Sequence, residues 1–550
     1  MHLALVIKEC YDPTLGNDTK KHGTTMHKRS ISSLSLLFTS TSAILGSGWL
    51  FAAYYTAQLA GPGALLAWLI GGFAVITIAY TYAEISAMIP IVGSTSRIPL
   101  YTHGTIVSYV YSWIIWLAYI VIAPTETQAV IQYLSYFFPE LIHVGGKLTE
   151  IGYYVAASLM LGLTALNLFS IRWLIRFNNG LTVMKLILPV FICMIILTHF
   201  FTPEKMIHPF HSAFLVYGMH GVLSAISTGG IVFAFNGFKQ ACELAGEAKN
   251  PKRAIPIAVV GSTVVCLVIY VLLQVTLISA LIPDNIKHGW INLSLPGAQS
   301  PLAAVIKQTS INWLMPFLYV GAIIGPLAAG LMYVSSAARS LYSMSKNDYL
   351  PHFFEKRNKH GHPWVAVLVC FAIGMCAFAP LPGWKSMISF LASLMAASYV
   401  ITPICLLALR KQVPNYDRPL KLPFVTLWAT LAFYFCNLLT YWSGWPIISK
   451  MILCLTISII LLFIYRYGTK RGRQLHLDYK AAIWIWPYFG GIALISYLGS
   501  FGGCNKLPFG WDMLTLLIFS IAIMWLAVKC CLPAERTQRF LAKLQQMKEC

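Results

Sequence analysis

Charge is scarce in this chain. Only 10% of its residues are charged and just 18 of 550 are acidic, where an ordinary soluble protein has about a quarter of its residues charged. Zinc-hydrolase (HExxH), nucleophile-elbow (GxSxG) and P-loop patterns are missing as well, so no enzyme chemistry is expected. The thirteen cysteines show no CxxC ligand spacing. Most of them (Cys193, Cys242, Cys266, Cys370, Cys405, Cys436, Cys454) fall in apolar runs and read as small apolar fillers, while Cys530 and Cys531 are simply adjacent. No metal or cofactor is expected. The alternating ten-residue pattern of a membrane barrel is also lacking, which leaves helices as the way to cross a bilayer.

What fills the chain is apolar sequence, 58% of all residues. Runs of roughly 20 apolar residues are long enough to cover about 30 Å of hydrocarbon. Fourteen such runs occur, over 34–60, 63–90, 106–137, 153–170, 179–201, 219–245, 255–282, 312–338, 364–380, 386–408, 424–443, 447–466, 481–499 and 511–531. They are numbered here as spans 1 to 14. The fold class is therefore an all-α integral membrane protein, with no soluble domain of useful size. Span 1 lacks a signal-peptide cleavage pattern and is expected to be retained.

The net charge of +21 first suggests nucleic acid, but its distribution argues otherwise. With the N-terminus in the cytoplasm and sides alternating, only Lys147, Lys205, Lys287, Lys307, Lys385, Lys450 and Lys506 fall outside. Lys185 and Lys239 fall within spans, and every other Lys and Arg faces inward. That is the positive-inside pattern, so the basic balance reports topology and no nucleic acid is expected. The chain is expected in the cell membrane, multi-pass, with both termini cytoplasmic.

Helix breakers supply the functional signal. Span 1 carries Gly46-Ser47-Gly48 in AILGSGWLF, and span 6 carries Asn236-Gly237 in VFAFNGF. Each span is the first of a set of five, and since five is odd the second set runs through the membrane inverted. Breaks at corresponding positions of two such halves point to a transporter binding site, although glycine in a membrane helix also serves close packing. The expected division is a cytoplasmic segment 1–33, a first repeat 34–201, a second repeat 219–408, additional helices 409–531 and a cytoplasmic tail 532–550.

GSGWLF, then FAFNGFKQACELAGEAKNPKRAIPIA from Phe233 to Ala258, ARSLYSMSKNDYLP from Ala338 to Pro351, and LRKQVPNYDRPLKLP from Leu409 to Pro423 resemble the amino acid–polyamine–organocation permeases over the whole chain. RIPLYTHG (97–104), TYWSGW (440–445), SYLGSFGG (496–503) and two spans beyond the usual twelve are most similar to the bacterial aspartate–proton symporter group. The chain departs from the family at GSTSRIP after span 2, where many members have Gly-Gly-x-Tyr. The resemblance implies a leucine-transporter type core of five plus five helices, discontinuous at helices 1 and 6.

An unwound helix in hydrocarbon frees backbone groups at a cost of several kcal/mol each, so they need a partner. An amino acid zwitterion is one. The amides of Ser47 and Gly48 begin the outer half of span 1 and offer the positive end of a helix dipole to a carboxylate, with Gly46 allowing close approach. The resemblance implies that carbonyls at Ile44, Phe233, Ala234 and Asn236 hold the amino group, flanked by Phe235 and Gly237. Trp49 and Phe235 are candidate covers or plain packing elements.

Ionisable groups inside spans are candidate coupling sites. Lys185 stands where similar proton-coupled permeases have a span 5 lysine, in the region of the sodium ion of sodium-coupled relatives; its alternative is snorkelling to the inner surface. Glu126, in APTETQ, is expected either to face the cavity, carrying a proton or substrate, or to be hydrogen-bonded structurally. Lys239 either contacts an acidic substrate side chain or pairs with a protein carboxylate. Glu84 reads as an interfacial ion-pair residue, and Glu247 with the basic run 339–359 as inner-loop charge. His199, His208, His211 and His220 are irregularly spaced and read as exposed. The tail RTQRFLAKLQQMKEC is expected as an amphipathic helix on the inner leaflet.

A secondary transporter accounts for the breaks and the few internal charges better than a channel or an enzyme. The expected function is import of an amino acid by proton symport through alternating access, with a lipid bilayer, a small substrate and a proton as partners. Amino acid or polyamine exchange is the alternative.

Overall fold

The computed structural model describes residues 31–549, apart from 92–93, 144, 169–170, 208–211, 296–299 and 360. His208, His211 and the segment 1–30 lie outside the described residues. Within them, regular structure is helical, and the only β-type pairings are isolated bridges between Ile31 and Ala248 and between Ile142 and Leu148.

Each of the fourteen apolar runs forms helix. Ten helical stretches are long and apolar enough to cross a membrane, and four apolar helices are shorter, Ser33–Ile44, Gly218–Ala234, Trp364–Cys376 and Val425–Tyr441. Two of those short ones are short because a span is broken. Span 1 consists of Ser33–Ile44 and Gly48–Ala60, separated by Leu45, Gly46 and Ser47. Span 6 breaks twice: Gly218–Thr228 stops at Gly229-Gly230, a single turn Ile231–Ala234 follows, and residues 235–239 are unwound before Gln240–Glu243. The second break is the one expected at Asn236-Gly237. The first falls at a glycine pair in which Gly230 has φ +106°. Lys239 belongs to the unwound stretch itself.

Longer helices surround these pieces. Span 3 (Thr105–Leu134) runs along span 8 (Met315–Lys346), and span 7 (Pro251–Ala280) along span 2 (Ala64–Met88) and the first half of span 1. Span 10 (Gly383–Tyr399 and Ile401–Gln412) lies against span 3 and the short turn of span 6. Burial follows this order: 89% of the most apolar window is buried in spans 3 and 10, but only 33% in span 4 (Glu150–Leu168) and in span 14 (Trp511–Lys529). The outer spans show apolar side chains such as Tyr154, Ile187, Ile464 and Ile518 on the surface. An apolar perimeter around a polar-bearing centre is the arrangement hydrocarbon favours.

One side of the bundle is tied by charge. Glu84, fully buried near the end of span 2, accepts from Arg410 Nε at 2.8 Å and from the Leu422 amide at 2.9 Å, joining span 10 to the following loop. Glu355 meets Lys346 at 2.9 Å and Arg471 at 3.2 Å. The first turns of the tail helix Ala534–Glu549 dock on protein. Thr537 donates to the Tyr101 carbonyl at 2.9 Å, Phe540 stacks on Tyr101, and Arg536 pairs with Asp478 at 2.7 Å. These contacts bury Thr537 and Phe540 against the protein.

Candidate functional site

The breaks in spans 1 and 6 meet backbone to backbone. Gly237 has φ +130°, and a Cβ there would lie 2.5 Å from the carbonyl carbon of Ala43 and 2.6 Å from the amide nitrogen of Ile44. Only glycine allows both that dihedral and that approach. On the far side of the span 1 break, a Cβ on Gly48 would stand 3.0 Å from the Cα of Ala234. Two interrupted helices therefore share one centre, as the paired breakers suggested.

Breaking span 1 exposes two opposite helix ends, and each has found a complementary charge. The Ser47 amide, at the positive start of Gly48–Ala60, donates to Glu126 Oε2 at 2.8 Å. A Cβ on Gly46 would collide with the Glu126 carboxylate, so this residue must be glycine for the carboxylate to reach the break. At the negative end of Ser33–Ile44, Lys185 Nζ donates to the Ser42 carbonyl and to Ser42 Oγ, both at 3.2 Å. Glu126 is 2% and Lys185 7% exposed, so these charge–dipole contacts act where screening is weak. Each is worth up to about 2 kcal/mol in a partly buried setting. Snorkelling is not what Lys185 does here: its ammonium reaches span 1.

The carbonyls freed by the breaks have a partner that was not anticipated. Tyr270, from span 7, has its hydroxyl 3.0 Å from the Ile44 carbonyl and 2.8 Å from the Ala234 carbonyl. A phenol carries one proton, so it satisfies these two acceptors by sharing or alternating. Its ring stacks on Trp68 with centroids 4.9 Å apart. Nothing in the apolar run around Tyr270 marks it in sequence, because its partners are main-chain atoms 226 and 36 residues away. Trp384, at the start of span 10, is the other unexpected member. Its indole donates to Ser47 Oγ at 2.8 Å, and its rings stack on Phe51 at 4.7 Å and meet Phe233 edge-on at 5.6 Å.

The remaining expected residues distribute around this centre. The Phe233 carbonyl accepts from the Asn236 amide at 2.9 Å, closing the turn locally. Asn236 Oδ1 is buried without a hydrogen-bond partner among the described residues. Phe235 packs edge-on against both Trp68 (6.0 Å) and Tyr270 (5.6 Å), a position behind the break. Trp49 lies over Gly321 of span 8. Lys239 is fully buried, with Nζ 3.4 Å from Ser398 Oγ and 4.0 Å from Met395 Sδ, over the rings of Tyr119 at 4.8 Å and Tyr399 at 5.2 Å. His199 and His220 are apart from all of this; His220 stacks on Phe501.

Chemically, the buried centre offers an amide donor at a helix start, two main-chain carbonyl acceptors, one carboxylate and the Lys185 ammonium. Over residues 31–465 the sequence matches a family described as amino acid permease. The glutamate/serine transporter AimA of Bacillus subtilis is 34% identical over 518 residues, covering 92% of this chain and 94% of that one. The aspartate-proton symporter of the same organism is 32% identical over 510 residues, covering 92% and 97%. The branched-chain amino acid permease BcaP, also from Bacillus subtilis, is 25% identical over 452 residues, covering 80% and 93%. With a family match over most of its length and full-length relatives above 30% identity, this chain belongs to the amino acid permease family of multi-pass membrane transporters.

Proposed function

We propose that the protein imports an amino acid across the cell membrane by proton symport, through alternating access. The observation that carries this reading is that the protein's own side chains hold the main-chain groups that an α-amino acid would bind at the breaks. Glu126 supplies a carboxylate to the Ser47 amide, and the Tyr270 hydroxyl covers the Ile44 and Ala234 carbonyls. An α-amino acid brings a carboxylate and an ammonium to those same partners. Together with Ile44, Gly46, Ser47 and Gly48, the span 6 residues Phe233, Ala234, Phe235, Asn236 and Gly237 then form the binding site.

Proton coupling follows from the competition. An ionised Glu126 holds the Ser47 amide and repels a second carboxylate, whereas a protonated Glu126 gives up its charge-assisted bond and lets the substrate carboxylate replace it. Lys185, on the opposite end of the same break, balances the charge of Glu126 when that is ionised and can release a proton when it is not. The two halves, 34–201 and 219–408, act in this reading as an inverted repeat that rocks about the shared break, with both termini in the cytoplasm and residues 409–531 outside the moving core. The printed name of the aspartate-proton symporter relative supports the coupling ion, and the names of all three relatives support an amino acid as cargo. Uptake of radiolabelled amino acids into proteoliposomes under an imposed inward proton gradient tests the proposal. Accumulation driven by the gradient supports symport. Uptake indifferent to the gradient but accelerated by preloaded substrate replaces it with exchange.

A further inference from the structure

We infer that the tail helix Ala534–Glu549 is a regulatory clamp. By docking on the short helix Ser94–His103 it holds the first half of span 1 and the second half of span 6 closed over the shared break, and its release opens the site toward that face. The inference rests on the transport reading above, which places this face in the cytoplasm, and adds to it a control of the cycle.

The two half-spans form one piece because they are bonded at two levels. The Ala241 amide donates to Ser40 Oγ at 3.1 Å, and the Ser40 hydroxyl reaches the Phe238 carbonyl at 3.4 Å. Beyond the helices, the Ile31 amide donates to the Glu247 carbonyl at 3.1 Å and the Lys249 amide to the Ile31 carbonyl at 2.9 Å. Ser94–His103, the helix between spans 2 and 3, fastens this piece by its first residues. Ser94 Oγ donates to the Cys242 carbonyl at 3.1 Å, and Thr95 donates to the Glu243 carboxylate. At its other end one residue, Gly104, separates it from span 3. Gly104 has φ +82°, and a Cβ there would collide with Asp478. A single glycine between two helices, in a dihedral that other residues avoid, gives Ser94–His103 a pivot on span 3.

The tail grips the same helix beside that pivot. The Leu532 amide donates to the Thr102 carbonyl at 2.8 Å, and Gln412, at the end of span 10, donates to the Leu532 carbonyl at 2.7 Å and to the Thr102 carbonyl at 3.3 Å. Thr537 holds the Tyr101 carbonyl and Phe540 the Tyr101 ring. Arg536 pairs with Asp478, the carboxylate that also accepts from the Thr105 amide at the start of span 3, at 3.1 Å. The tail thus locks the last turn of Ser94–His103 to spans 3 and 10, while the first turn of that helix carries the half-spans. Opening on this face swings Ser94–His103 about Gly104 and breaks the tail contacts; opening on the opposite face leaves them in place. Contacts made in one state and lost in the other shift the balance between the two.

The test is hydrogen–deuterium exchange on peptides covering 94–103 and 240–249, with 48–60 in the outer half of span 1 as the internal reference. The proteins compared are wild type, a chain ending at Pro533, Phe540→Ala, Thr537→Val and, as a control on the same helix, Arg539→Gln, whose side chain is 77% exposed. Truncation and Phe540→Ala should each speed exchange about threefold or more in 94–103 and 240–249 and leave 48–60 unchanged. Thr537→Val should act in the same direction and more weakly, and Arg539→Gln should match wild type. In proteoliposomes Phe540→Ala should raise the apparent KM of external L-glutamate or L-serine, whichever the wild type accumulates, about two- to fivefold, because fewer molecules face outward. Wild-type exchange at 240–249 in folded Phe540→Ala overturns the inference, even if the truncated chain fails to fold. So do equal acceleration at 48–60, the same acceleration in Arg539→Gln, and an unchanged KM. If the wild type accumulates neither amino acid, the transport reading is what suffers, and exchange still decides whether the tail holds the half-spans.

Discussion

Replacing Glu126 by glutamine removes a charge while keeping an acceptor of nearly the same shape beside the Ser47 amide. When Glu126 is ionised, the bond from the Ser47 amide, 2.8 Å long, is charge-assisted and worth about 1.5–3 kcal/mol. Substrate must displace it, and each 1.4 kcal/mol is a factor of about ten in affinity. The glutamine bond is weaker by roughly half. At alkaline pH, where wild-type Glu126 is ionised, Glu126→Gln should therefore bind substrate about 3- to 10-fold more tightly. At acidic pH the two proteins should converge. The assay is substrate-induced thermal stabilisation, or calorimetric titration, of purified protein across a pH series. Transport should separate along the same line: counterflow between equal substrate pools persists in Glu126→Gln, while proton-driven accumulation is lost. A folded variant that keeps the wild-type pH dependence of binding refutes the reasoning, and so does one that fails to bind at every pH.

Lys185→Ala should abolish proton-driven accumulation in proteoliposomes while leaving a folded protein; accumulation with unchanged pH dependence would return Lys185 to a structural role. Tyr270→Phe uncovers the Ile44 and Ala234 carbonyls, so the empty protein should lose about 1–3 kcal/mol and gain a larger thermal shift than wild type on adding substrate; equal shifts contradict the stand-in role. Glu84→Ala strips a buried carboxylate from Arg410 and should cost about 3–5 kcal/mol of stability, read as a loss of folded protein on heating. Burial pushes the Glu355 carboxyl up, but hydrogen bonds and charge from Lys346, with Ser345 and Arg471, outweigh it and hold it below the ordinary carboxylate value. Its share of stability is therefore present above the ordinary carboxylate range and lost as pH falls through the lowered value; Glu355→Gln should flatten that acid limb in thermal unfolding, and an unchanged limb argues against it.

The architecture was legible because hydrocarbon imposes it. Fourteen apolar runs became fourteen helical spans, and Gly46-Ser47-Gly48 and Asn236-Gly237 marked breaks that meet, since glycine is the residue that tolerates φ +130° and backbone contact at Gly237. Glu126 and Lys185 stood out as ionisable groups in apolar sequence, and both are found at the span 1 break. Tyr270 and Trp384 stayed hidden for the opposite reason. Each is one aromatic among many on a membrane helix, and what distinguishes it is a hydrogen bond to distant atoms, Ile44 and Ala234 carbonyls for one and Ser47 Oγ for the other. The environment of Lys239 was unreadable for the same cause, because Tyr119, Ser398 and Tyr399 reach it from two other spans. The tail helix shows how a periodic apolar face names no partner: nothing in its pattern marked Tyr101 and Asp478, which its first turns meet.

The central claim is that one proton-sensitive site at the paired breaks carries an amino acid across the membrane. Simultaneous measurement of radiolabelled substrate and internal pH in proteoliposomes, with no gradient imposed at the start, tests it most directly. The account predicts that adding external substrate acidifies the lumen of wild-type vesicles in step with uptake, and that Glu126→Gln uncouples the two. Substrate entry with no proton movement in the wild-type protein would contradict it.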